Sequence, residues 1–457
     1  MAEQFWTLDR IAEALAPLSP VNLPRGRAAV NRITTDTRAI QHGDAFLALK
    51  GERFDGHDFL QQAVDAGASA LIVSAAPKVG TVGVPVFEVE DTLVALGELG
   101  RFWRRAWGKT IVGVAGSNGK TSTKDLIRAA LSEMYDVSAT TGNLNNRIGV
   151  PLSLLAIPPE SDIAVIELGT SLPGEVEILR KIVEPEIVVV TSIAEEHLEG
   201  LGDLAGVLRE EAAAFEGADV AIAPAEQPEI GRAAKGKARK IVIAGLDAGF
   251  DVSPEKWDLG RDGLGCVELE GVSVRPPLRG IHNLRNAMLA LAVARECGVP
   301  LEDAKRGIES MPQPKMRTAW TQIGGLTLIN DAYNANPGSS RAAIELIAGA
   351  DAKRQRVIVL GTMRELGATS ARLHEEIAAL ALASGAEVVA GIGEFAGALE
   401  KAGAGRPEVV TANDVEDLWP KLEGRLTPDS IILLKASRGV QLERLVPHLT
   451  TWAQAKC

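Results

Sequence analysis

A glycine-rich turn at residues 116–122 carries the side chains with the clearest chemistry, in the order Gly116, Ser117, Asn118, Gly119, Lys120, Thr121 and Ser122. Apolar residues before it predict a strand at 111–115, and the pattern after it predicts a helix at 121–134. Backbone N–H groups at such a turn can surround phosphate oxygens, while a lysine reaches the terminal phosphates and a threonine hydroxyl binds Mg²⁺. The turn departs from the full GxxxxGK[ST] pattern, because Val114 stands where the first glycine belongs. We interpret it as a phosphate site; the alternative is a glycine turn with a surface lysine.

Two further polar side chains lie near the ends of predicted strands: Glu167 ends the strand at 163–168, and His197 follows the strand at 187–191. Ligands of open α/β sheets gather at the carboxyl ends of parallel strands, so both side chains are expected near the phosphates. A carboxylate oxygen there suits Mg²⁺. The alternatives are a solvated strand-end carboxylate for Glu167 and a structural histidine for His197.

The predicted strands and helices that would position these residues fall into three α/β domains. Residues 1–88 mix short strands and helices, and residues 89–312 predict a mostly parallel sheet covered by helices, with a hairpin-like appendage at 263–278. Pro312 and Pro314 interrupt the pattern and predict a hinge or linker at 311–315. Regular alternation of strand and helix over 313–457 predicts a Rossmann-like, doubly wound domain.

Length and composition agree with this division. The chain has 457 residues, of which 46% are apolar, enough for about three domains of ~150 residues. Its 60 acidic and 48 basic residues give a net charge of −12, which argues against nucleic acid as a partner. Three widely spaced cysteines, Cys266, Cys297 and Cys457, fit reduced thiols. With no signal peptide and no apolar run of ~18 residues, we expect a cytoplasmic protein, favoured as a monomer, without a membrane span.

Several longer motifs resemble the Mur ligase family: GSNGKTS, TTGNLNNRIGVP, VIELGTSLPGE, HLEGLG, GIHNLRNAMLALA, NDAYNANP and LLKASRG. The segments TTDTR and GDAFLALKGERFDGHDF also resemble its nucleotide-sugar domain. Within the family, GNLNN and YNANP resemble the members that add a dipeptide. The resemblance implies a UDP-sugar-binding domain at 1–88, an ATP-binding P-loop domain at 89–312 and a Rossmann-like domain for the ribose and dipeptide at 313–457.

The activity implied by this resemblance is ATP-dependent amide-bond formation in peptidoglycan precursor synthesis. D-alanyl-D-alanine would be joined to the terminal carboxylate of UDP-N-acetylmuramoyl-tripeptide through an acyl phosphate, with ATP and Mg²⁺ and with closure of the C-terminal domain about the linker. Two alternatives stay open. One is a ligase that adds a single amino acid to a UDP-muramoyl peptide or to folate, and the other is a nucleotide- or UDP-precursor-binding protein with impaired catalysis.

The resemblance also implies roles for individual residues. The implied catalytic set is Lys120, Glu167, His197 and Arg317, and the implied metal set is Thr121, Glu167 and His197. A hypothesis about a departure from the family, given below, adds Glu211 to both sets. Nucleotide contacts beyond the glycine-rich turn are Asn283 and Asn286 for adenine, Arg317 for the γ-phosphate and Asp331 for ribose. The UDP-sugar residues are Thr35, Asp36, Thr37, Arg38, Lys50, Asp55, Gly56 and His57, with Asn143 and Asn146 facing the diphosphate or peptide. The dipeptide side is Tyr333, Asn334, Asn336, Lys435, Ser437 and Arg438. Helix caps, turn residues and solvated charges are the alternatives.

Three positions depart from the family pattern. The family has a lysine about ten residues after HLEGFG that becomes carbamylated and binds the second Mg²⁺, and ungapped counting places Glu211 there. We hypothesise that Glu211 supplies this carboxylate permanently, although its side chain is shorter by ~3 to 4 Å. A solvated helix acid is the alternative, and Glu210 is an equal competitor. Thr362 replaces the aspartate of the family's GDMxELG, which puts a charged contact near the dipeptide in doubt, and Ala436 replaces the glycine of KGSR.

Overall fold

The computed structural model describes residues 5–51, 54–74, 83–312, 316–403, 405–406 and 408–456. Its chain divides into two units. The first contains Met1–Gly113, Asp136–Gly169 and Glu175–Glu186, and the second contains Val114–Tyr135, Thr170–Gly174 and Ile187–Cys457.

The secondary structure alternates helices and strands through most of the chain. The helices are α1 Leu8–Leu15, α2 Leu60–Asp65, α3 Thr92–Trp107, α4 Lys120–Leu131, α5 Gly149–Leu155, α6 Glu175–Val183, α7 Leu198–Leu201, α8 Leu204–Glu211, α9 Pro228–Ala233, α10 Ile281–Glu296, α11 Leu301–Ser310, α12 Pro337–Ala348, α13 Ser370–Ala383, α14 Glu394–Ala402, α15 Val415–Leu422 and α16 Leu445–Lys456. The strands are β1 Ile33–Thr34, β2 Ala45–Leu47, β3 Ala70–Val73, β4 Val86–Glu88, β5 Thr110–Ala115, β6 Val137–Ala139, β7 Ile163–Glu167, β8 Ile187–Val190, β9 Val220–Pro224, β10 Lys240–Ala244, β11 Lys256–Leu259, β12 Gly265–Leu269, β13 Val272–Val274, β14 Ala319–Ile323, β15 Leu326–Asp331, β16 Arg356–Gly361, β17 Val388–Ile392, β18 Val409–Ala412 and β19 Ile431–Lys435.

The first unit opens with a small parallel sheet in the order β1-β2-β3-β4. Thr34 of β1 is in register with Phe46 of β2, so both strands end at the same edge of the sheet. Phe46, Leu60 and Leu71 are buried in its core, where α2 covers one face of the sheet. This edge therefore presents the loops that follow β1 and β2 side by side.

Helix α3 is the main helix of the first unit. Asp91 caps its start by accepting hydrogen bonds from the N–H groups of Leu93 and Val94, and Gly108 ends it in the left-handed region at φ 67°. The helix packs against α5 and α6. A Cβ at Gly100 would lie 3.0 Å from the Pro151 Cα, so α3 and α5 need a glycine at this contact.

Strands β5 to β10 form a six-stranded sheet in the order β10-β9-β8-β5-β7-β6. The pairs β6–β7, β8–β9 and β9–β10 are parallel. In the second unit α10 and α11 pack against α4, and the antiparallel sheet β11-β12-β13 forms the appendage. The parallel central sheet and the hairpin that the sequence predicted are confirmed, and β11 lengthens the hairpin by one strand.

The last sheet has the order β14-β15-β19-β16-β17-β18. All its neighbours are parallel except β14, which pairs antiparallel with β15 at one edge. The inner strands β16 and β19 are almost entirely buried, as expected for a sheet covered on both faces. The α/β class with a Rossmann-like C-terminal sheet is thus confirmed. Part of the predicted linker, residues 313–315, lies outside the described residues. Within the described ranges no helix is long and apolar enough to cross a membrane.

Candidate active site

The glycine-rich turn, called the phosphate loop here (residues 116–122), joins the end of β5 to the start of α4 as predicted. Gly116 and Gly119 adopt φ values of 114° and 84°, which favour glycine. A Cβ at Gly116 would lie 2.4 Å from the Thr191 Oγ1, and one at Gly119 would lie 2.8 Å from the Asn286 Oδ1. Both glycines are therefore required by backbone conformation and by close neighbours.

Residues that follow β8 hold the phosphate loop in place. The Ser117 N–H donates to the Ser192 carbonyl at 2.7 Å, and the Asn118 N–H donates to the Ser192 Oγ at 3.0 Å. The Thr191 hydroxyl donates to the Asn118 carbonyl at 2.6 Å. This bracing keeps the loop's remaining backbone groups in a fixed arrangement, which is what a preorganised anion site needs.

Lys120 bends back over the phosphate loop at the start of α4. Its ammonium donates to the carbonyls of Gly116 and Ser117, and it lies 3.5 Å from the Glu196 Oε1. The Thr121 side chain next to it is largely buried in the first turn of the helix. Lys120 and Thr121 thus stand at the helix N-terminus, where the sequence placed the phosphate contacts.

The two adjacent glutamates at the end of α8 have different surroundings. Glu210 accepts from the Thr170 hydroxyl at 3.2 Å and from the Gly174 N–H at 2.7 Å, so it braces the loop at residues 170–174. Glu211 is completely buried, and its Oε2 accepts from the Gly116 N–H at 2.7 Å. Of these two competitors, Glu211 is the one that faces the phosphate loop.

The Glu211 carboxyl retains one oxygen for a further contact. Within the described residues its Oε1 is buried and has no hydrogen-bond partner. Burial raises the pKa of Glu211 to about 7, against the opposing effect of the nearby Lys120 ammonium and with the assistance of the Glu196 and Glu210 charges. A cation next to Glu211 would favour its ionised form.

Glu196 is a site residue that the sequence analysis missed. It is 6% exposed, with its Oε1 toward Lys120 and its Oε2 accepting from the Asn336 amide at 3.2 Å. Asn336 also donates to the Asn118 Oδ1 at 2.8 Å. These contacts bring the YNANP segment (residues 333–337) against the phosphate loop. No local pattern marks Glu196, since its partners lie far away in the sequence.

His197 contacts the loop that follows β16 in the C-terminal sheet. Its Nδ1 hydrogen-bonds to the Glu365 carboxylate in the GTMRELG loop (residues 361–367), and both residues have positive φ values. Burial lowers the pKa of His197, but the bond to Glu365 and the charge of Glu196 outweigh it, so that the net pKa is raised. A protonated imidazole cannot bind a metal, so entry of His197 into a metal shell would require loss of that proton.

The two asparagines at the start of α10 are nearly buried. Asn283 donates to the Arg279 carbonyl at 2.8 Å, and Asn286 donates to the Asn283 Oδ1 at 3.1 Å. The Asn286 side chain lies against Gly119, so the two side chains link α10 to the phosphate loop. Burial lowers the pKa of the neighbouring His282 to about 4, with Asp331, Lys435 and Arg285 contributing smaller effects.

Arg317 and Asp331 lie close to the start of the C-terminal sheet. The Arg317 guanidinium stacks 4.2 Å from the Tyr333 ring centroid. Asp331 ends β15, accepts from the Thr318 N–H at 2.9 Å and forms an ion pair of 2.7 Å with Lys435. Asp331 and Lys435 are partners in the register of adjacent parallel strands, which explains this contact.

The remaining residues predicted for the dipeptide cluster at the same strand ends. Lys435 donates to the Asn334 carbonyl at 2.8 Å, and the Ser437 hydroxyl donates to the Ala335 carbonyl at 3.2 Å. Arg438 instead forms an ion pair with Glu443. The Ser437 N–H donates to the Thr362 carbonyl at 3.2 Å, so the KASRG and GTMRELG segments meet despite their departures from the family pattern.

In the first unit Glu167 is nearly buried at the end of β7. Its Oε1 accepts from the Asn145 amide at 2.9 Å. Asn145 was not among the residues predicted from the sequence. Asn146 lies in the turn before α5, where its Oδ1 accepts from the N–H groups of Ile148 and Gly149 at 3.1 and 2.9 Å. Asn143 is exposed in the same turn. An asparagine-rich turn without a ligand is the alternative that the sequence offered for Asn143 and Asn146.

The predicted UDP-sugar residues lie in the loops after β1 and β2. Asp36 caps a short turn and holds the Arg38 guanidinium, which lowers the pKa of Asp36 to about 2. Asp55 accepts from His57 Nδ1 at 2.6 Å and lies 3.7 Å from the Lys50 ammonium. The two groups occupy one edge of the small sheet. Thr35 and Thr37 are partly exposed beside Asp36, and a Cβ at Gly56 would lie 2.9 Å from the Leu49 backbone.

The residues around the phosphate loop fit a magnesium ion. Thr121 and Glu211 offer hard oxygen atoms, and the buried, unpartnered Oε1 of Glu211 suits a cation. Among the described residues, however, no three acidic, histidine or cysteine side chains converge into a ready-made metal site. Mg²⁺ usually takes one or two protein carboxylates and completes its shell with phosphate oxygens and water.

Comparison with known proteins accords with this arrangement. The sequence matches the Mur ligase family catalytic domain over residues 29–104, the Mur ligase middle domain over 114–294 and the glutamate ligase domain over 316–438. It is 34% identical over 433 residues to the UDP-N-acetylmuramoyl-tripeptide–D-alanyl-D-alanine ligase of Bacillus subtilis (strain 168), covering 93% of this chain and 94% of that protein.

Solved structures give the same result. A crystal structure of MurF from Acinetobacter baumannii superimposes with a TM-score of 0.88 at 31% identity, covering 98% of this chain and 99% of that one. MurF ligase from Thermotoga maritima in complex with ADP gives a TM-score of 0.83 at 26% identity, covering 93% and 98% of the two chains. The resemblance seen in the motifs is confirmed, and the chain belongs to the Mur ligase family.

Proposed function

We propose that this protein is an ATP-dependent ligase that joins D-alanyl-D-alanine to the terminal carboxylate of UDP-N-acetylmuramoyl-tripeptide, yielding ADP and phosphate. The observation that carries the proposal is the contact of Asn336 with Asn118, which places the YNANP segment on the phosphate loop. The names of the relatives support the choice of substrates. The reaction belongs to cytoplasmic peptidoglycan precursor synthesis in this proposal.

The reaction proceeds in two steps in which every group is accounted for. A tripeptide carboxylate oxygen attacks the γ-phosphorus of ATP, the bond to the bridging oxygen breaks and ADP leaves. The dipeptide amine then attacks the carbonyl carbon of the acyl phosphate, inorganic phosphate leaves and the nitrogen loses a proton. A free carboxylate is a poor acyl donor, so the first step supplies the leaving group that the second step requires.

Charge is the main difficulty of the first step, since a carboxylate must approach a polyphosphate. In the proposal, Lys120 turns from the loop carbonyls to the phosphates, and Arg317 approaches the γ-phosphate from the chain segment before β14. The loop N–H groups of residues 116–122 hold the remaining phosphate oxygens. Asn283 and Asn286 contact the adenine side, and Asp331 holds the ribose.

Four residues are proposed to take part in Mg²⁺ binding: Thr121, Glu167 and His197 at one ion, and Glu211 at the second ion that the family's modified lysine binds. When bound, Mg²⁺ would offset negative charge on the phosphates. Glu211 takes the place of the modified lysine of the family, and its buried Oε1 supports this role. Because the Glu211 Oε2 is held by the Gly116 N–H, this carboxylate also fixes the start of the phosphate loop.

Substrate binding is divided among the three segments, 1–88, 89–312 and 313–457, whose boundaries are part of the proposal. The loops after β1 and β2 bind the UDP-sugar through the residues named in the sequence analysis, with Asn143 and Asn146 beside the diphosphate or peptide. The dipeptide docks at the strand ends near Tyr333, Asn334 and Ser437. Asn336, Lys435 and Arg438 complete that side, with Lys435 also orienting Asp331.

Product analysis tests the proposal. Purified protein is incubated with ATP, Mg²⁺, UDP-N-acetylmuramoyl-tripeptide and D-alanyl-D-alanine, and the nucleotide-linked products are weighed by mass spectrometry. A product heavier by one dipeptide less water is expected, and it should disappear with K120A. A product formed equally well with single D-alanine would indicate a single-residue ligase. Nucleotide binding without any product would indicate a binding protein with impaired catalysis.

A further inference from the structure

Glu196 occupies a central position that no motif assigns. It lies between the phosphate loop and the YNANP segment, and it is 6% exposed. Its Oε2 accepts from the Asn336 amide at 3.2 Å, while its Oε1 is 3.5 Å from the Lys120 ammonium. The Oε1 atom has no hydrogen-bond partner within the described chain. The Glu196 carboxylate therefore lies between Lys120 and Asn336, the residue that caps α12.

Asn336 uses its whole side chain at this contact. Its amide donates to the Asn118 Oδ1 as well as to Glu196, and its own Oδ1 accepts from the Ser339 N–H at 2.8 Å to cap α12. A Cβ at Gly338 would lie 3.2 Å from the Asn118 Nδ2. The first turn of α12 thus lies directly on the phosphate loop, and Asn336 links the order of that turn to Glu196.

We propose that Glu196 is a positioning residue that couples Lys120 to the docking of the YNANP segment. When Lys120 turns toward phosphate, Glu196 loses the ammonium beside its Oε1, and the hydrogen bond from the Asn336 amide to its Oε2 remains. A hydrogen bond to an ionised carboxylate is strong where the carboxylate is buried, and this one no longer shares the charge with the Lys120 ammonium. Nucleotide binding should therefore tighten the contact between α12 and the phosphate loop. The kinetic test of this inference rests on the proposed ligase function.

Three substitutions separate the two contacts of Glu196. E196Q keeps an oxygen that accepts from Asn336 but removes the charge facing Lys120, whereas E196A removes both. N336S keeps a hydroxyl acceptor that caps α12 and removes the amide donor. E195Q is the matched control, because Glu195 is the adjacent acid and lies outside these contacts. All variants are first compared by thermal unfolding to establish that they are folded.

Amide hydrogen exchange measures the docking without requiring the reaction. With ADP and Mg²⁺ present, exchange of the Ser339 and Ser340 amides should rise ~10-fold or more in E196A, as expected for loss of a buried hydrogen bond to a charged group. E196Q should show a smaller rise, and E195Q none. Equal exchange in E196A and the unsubstituted protein would overturn the proposal.

Steady-state kinetics provide the second readout. E196A should lower kcat ~10-fold while ADP binds as tightly or more tightly, because a negative charge near the phosphates is removed. E196Q should recover most of kcat. The double variant E196A/N336S should be no slower than N336S alone. The coupling would be contradicted if the kcat losses of E196A and N336S multiplied in the double variant, or if ADP affinity and kcat fell together in E196A. The substitutions at Glu196 could change amide exchange as expected while neither the unsubstituted protein nor any variant turns over the dipeptide. In that case the proposed function fails and the coupling stands.

Discussion

The Oε2 of Glu211 accepts a hydrogen bond from the Gly116 N–H at 2.7 Å, whereas the carboxylate of the adjacent Glu210 turns to the loop at residues 170–174. Two neighbouring acids on one helix thus have separate tasks. Glu211 fixes the start of the phosphate loop, and its buried Oε1 has no hydrogen-bond partner among the described residues, whereas Glu210 braces a neighbouring loop. Substitutions of Glu210 are therefore matched controls for substitutions of Glu211, the position at which the sequence departs from its family.

Glu211 should make ligation independent of carbon dioxide. The family's lysine requires carbamylation, whereas the carboxyl group of a glutamate is part of its side chain and needs no reaction with CO₂. Enzyme depleted of CO₂ should therefore release ADP at the same rate before and after bicarbonate is added. A recovery of several-fold on adding bicarbonate would show that a modified lysine elsewhere supplies the ligand.

E211Q and E210Q should fail in different ways. Loss of the Glu211 charge should raise the Mg²⁺ concentration for half-maximal turnover ~10-fold, because one anionic ligand is removed. E210Q should lower the free energy of unfolding by about 1 to 2 kcal/mol and leave the Mg²⁺ dependence unchanged. Mg²⁺ titrations and urea unfolding of both variants test this. Identical Mg²⁺ curves for E211Q and the unsubstituted protein would exclude a metal role for Glu211.

The glycine at position 119 should be irreplaceable. In G119A the added Cβ meets the Asn286 side chain and the backbone must keep φ 84°, so we expect ADP affinity to fall ~10-fold or more. Gly397 in α14 is the control, since a Cβ there has no atom within 4 Å. G397A should retain affinity and gain slightly in stability. Calorimetric titration with ADP measures both.

The bond between His197 and Glu365 should stabilise the contact between the HLEGLG segment and the GTMRELG loop. E365A should lower kcat ~10-fold, as for loss of a charge-assisted bond, with little change in ADP affinity. The control is E376Q, because Glu376 forms an exposed ion pair with Arg372 within α13. An equal loss of ADP affinity in E365A would show that Glu365 supports the nucleotide site instead.

Acid should weaken the GTMRELG loop through His374. This buried ring accepts from the Met363 N–H at 2.9 Å through Nε2, and its Nδ1 contacts the Ser370 carbonyl. Burial lowers the pKa of His374 below its ordinary 6.5, although Ser370 and Glu394 oppose the change. The unfolded chain then binds a proton that the folded chain does not, so stability falls as pH drops below about 6.5.

Thermal unfolding of the unsubstituted protein and H374Q at pH 7.5 and 5.5 tests this relation. The unsubstituted protein should lose more in Tm between these pH values than H374Q does, because glutamine does not titrate. Equal losses would assign the acid sensitivity to other groups.

The sequence predicted those elements whose patterns are local. The phosphate loop lies between a strand and a helix as predicted, and β16 and β17 contain continuous apolar runs because they are buried on both faces. Strand β14 was not predicted, since it is a half-exposed antiparallel edge strand with mixed side chains. Helix α15 was not predicted either, because Pro420 lies inside it.

The site shows the same limit. Lys120 and Thr121 follow a turn whose chemistry can be read from adjacent residues. Glu196 and Asn145 owe their positions to partners that only the fold brings near, the Asn336 amide and the Glu167 carboxylate. Periodicity and motif spacing carry no information on such contacts. The choice between Glu210 and Glu211 likewise depended on which way each side chain turns.

The most direct test of the account is ADP release by the purified protein with ATP and Mg²⁺, with UDP-N-acetylmuramoyl-tripeptide and D-alanyl-D-alanine added separately and together. We expect sustained ADP release only when both are present, with one phosphate formed per ADP. Equal release without the dipeptide, or none with both substrates while ADP still binds, would contradict the ligase assignment.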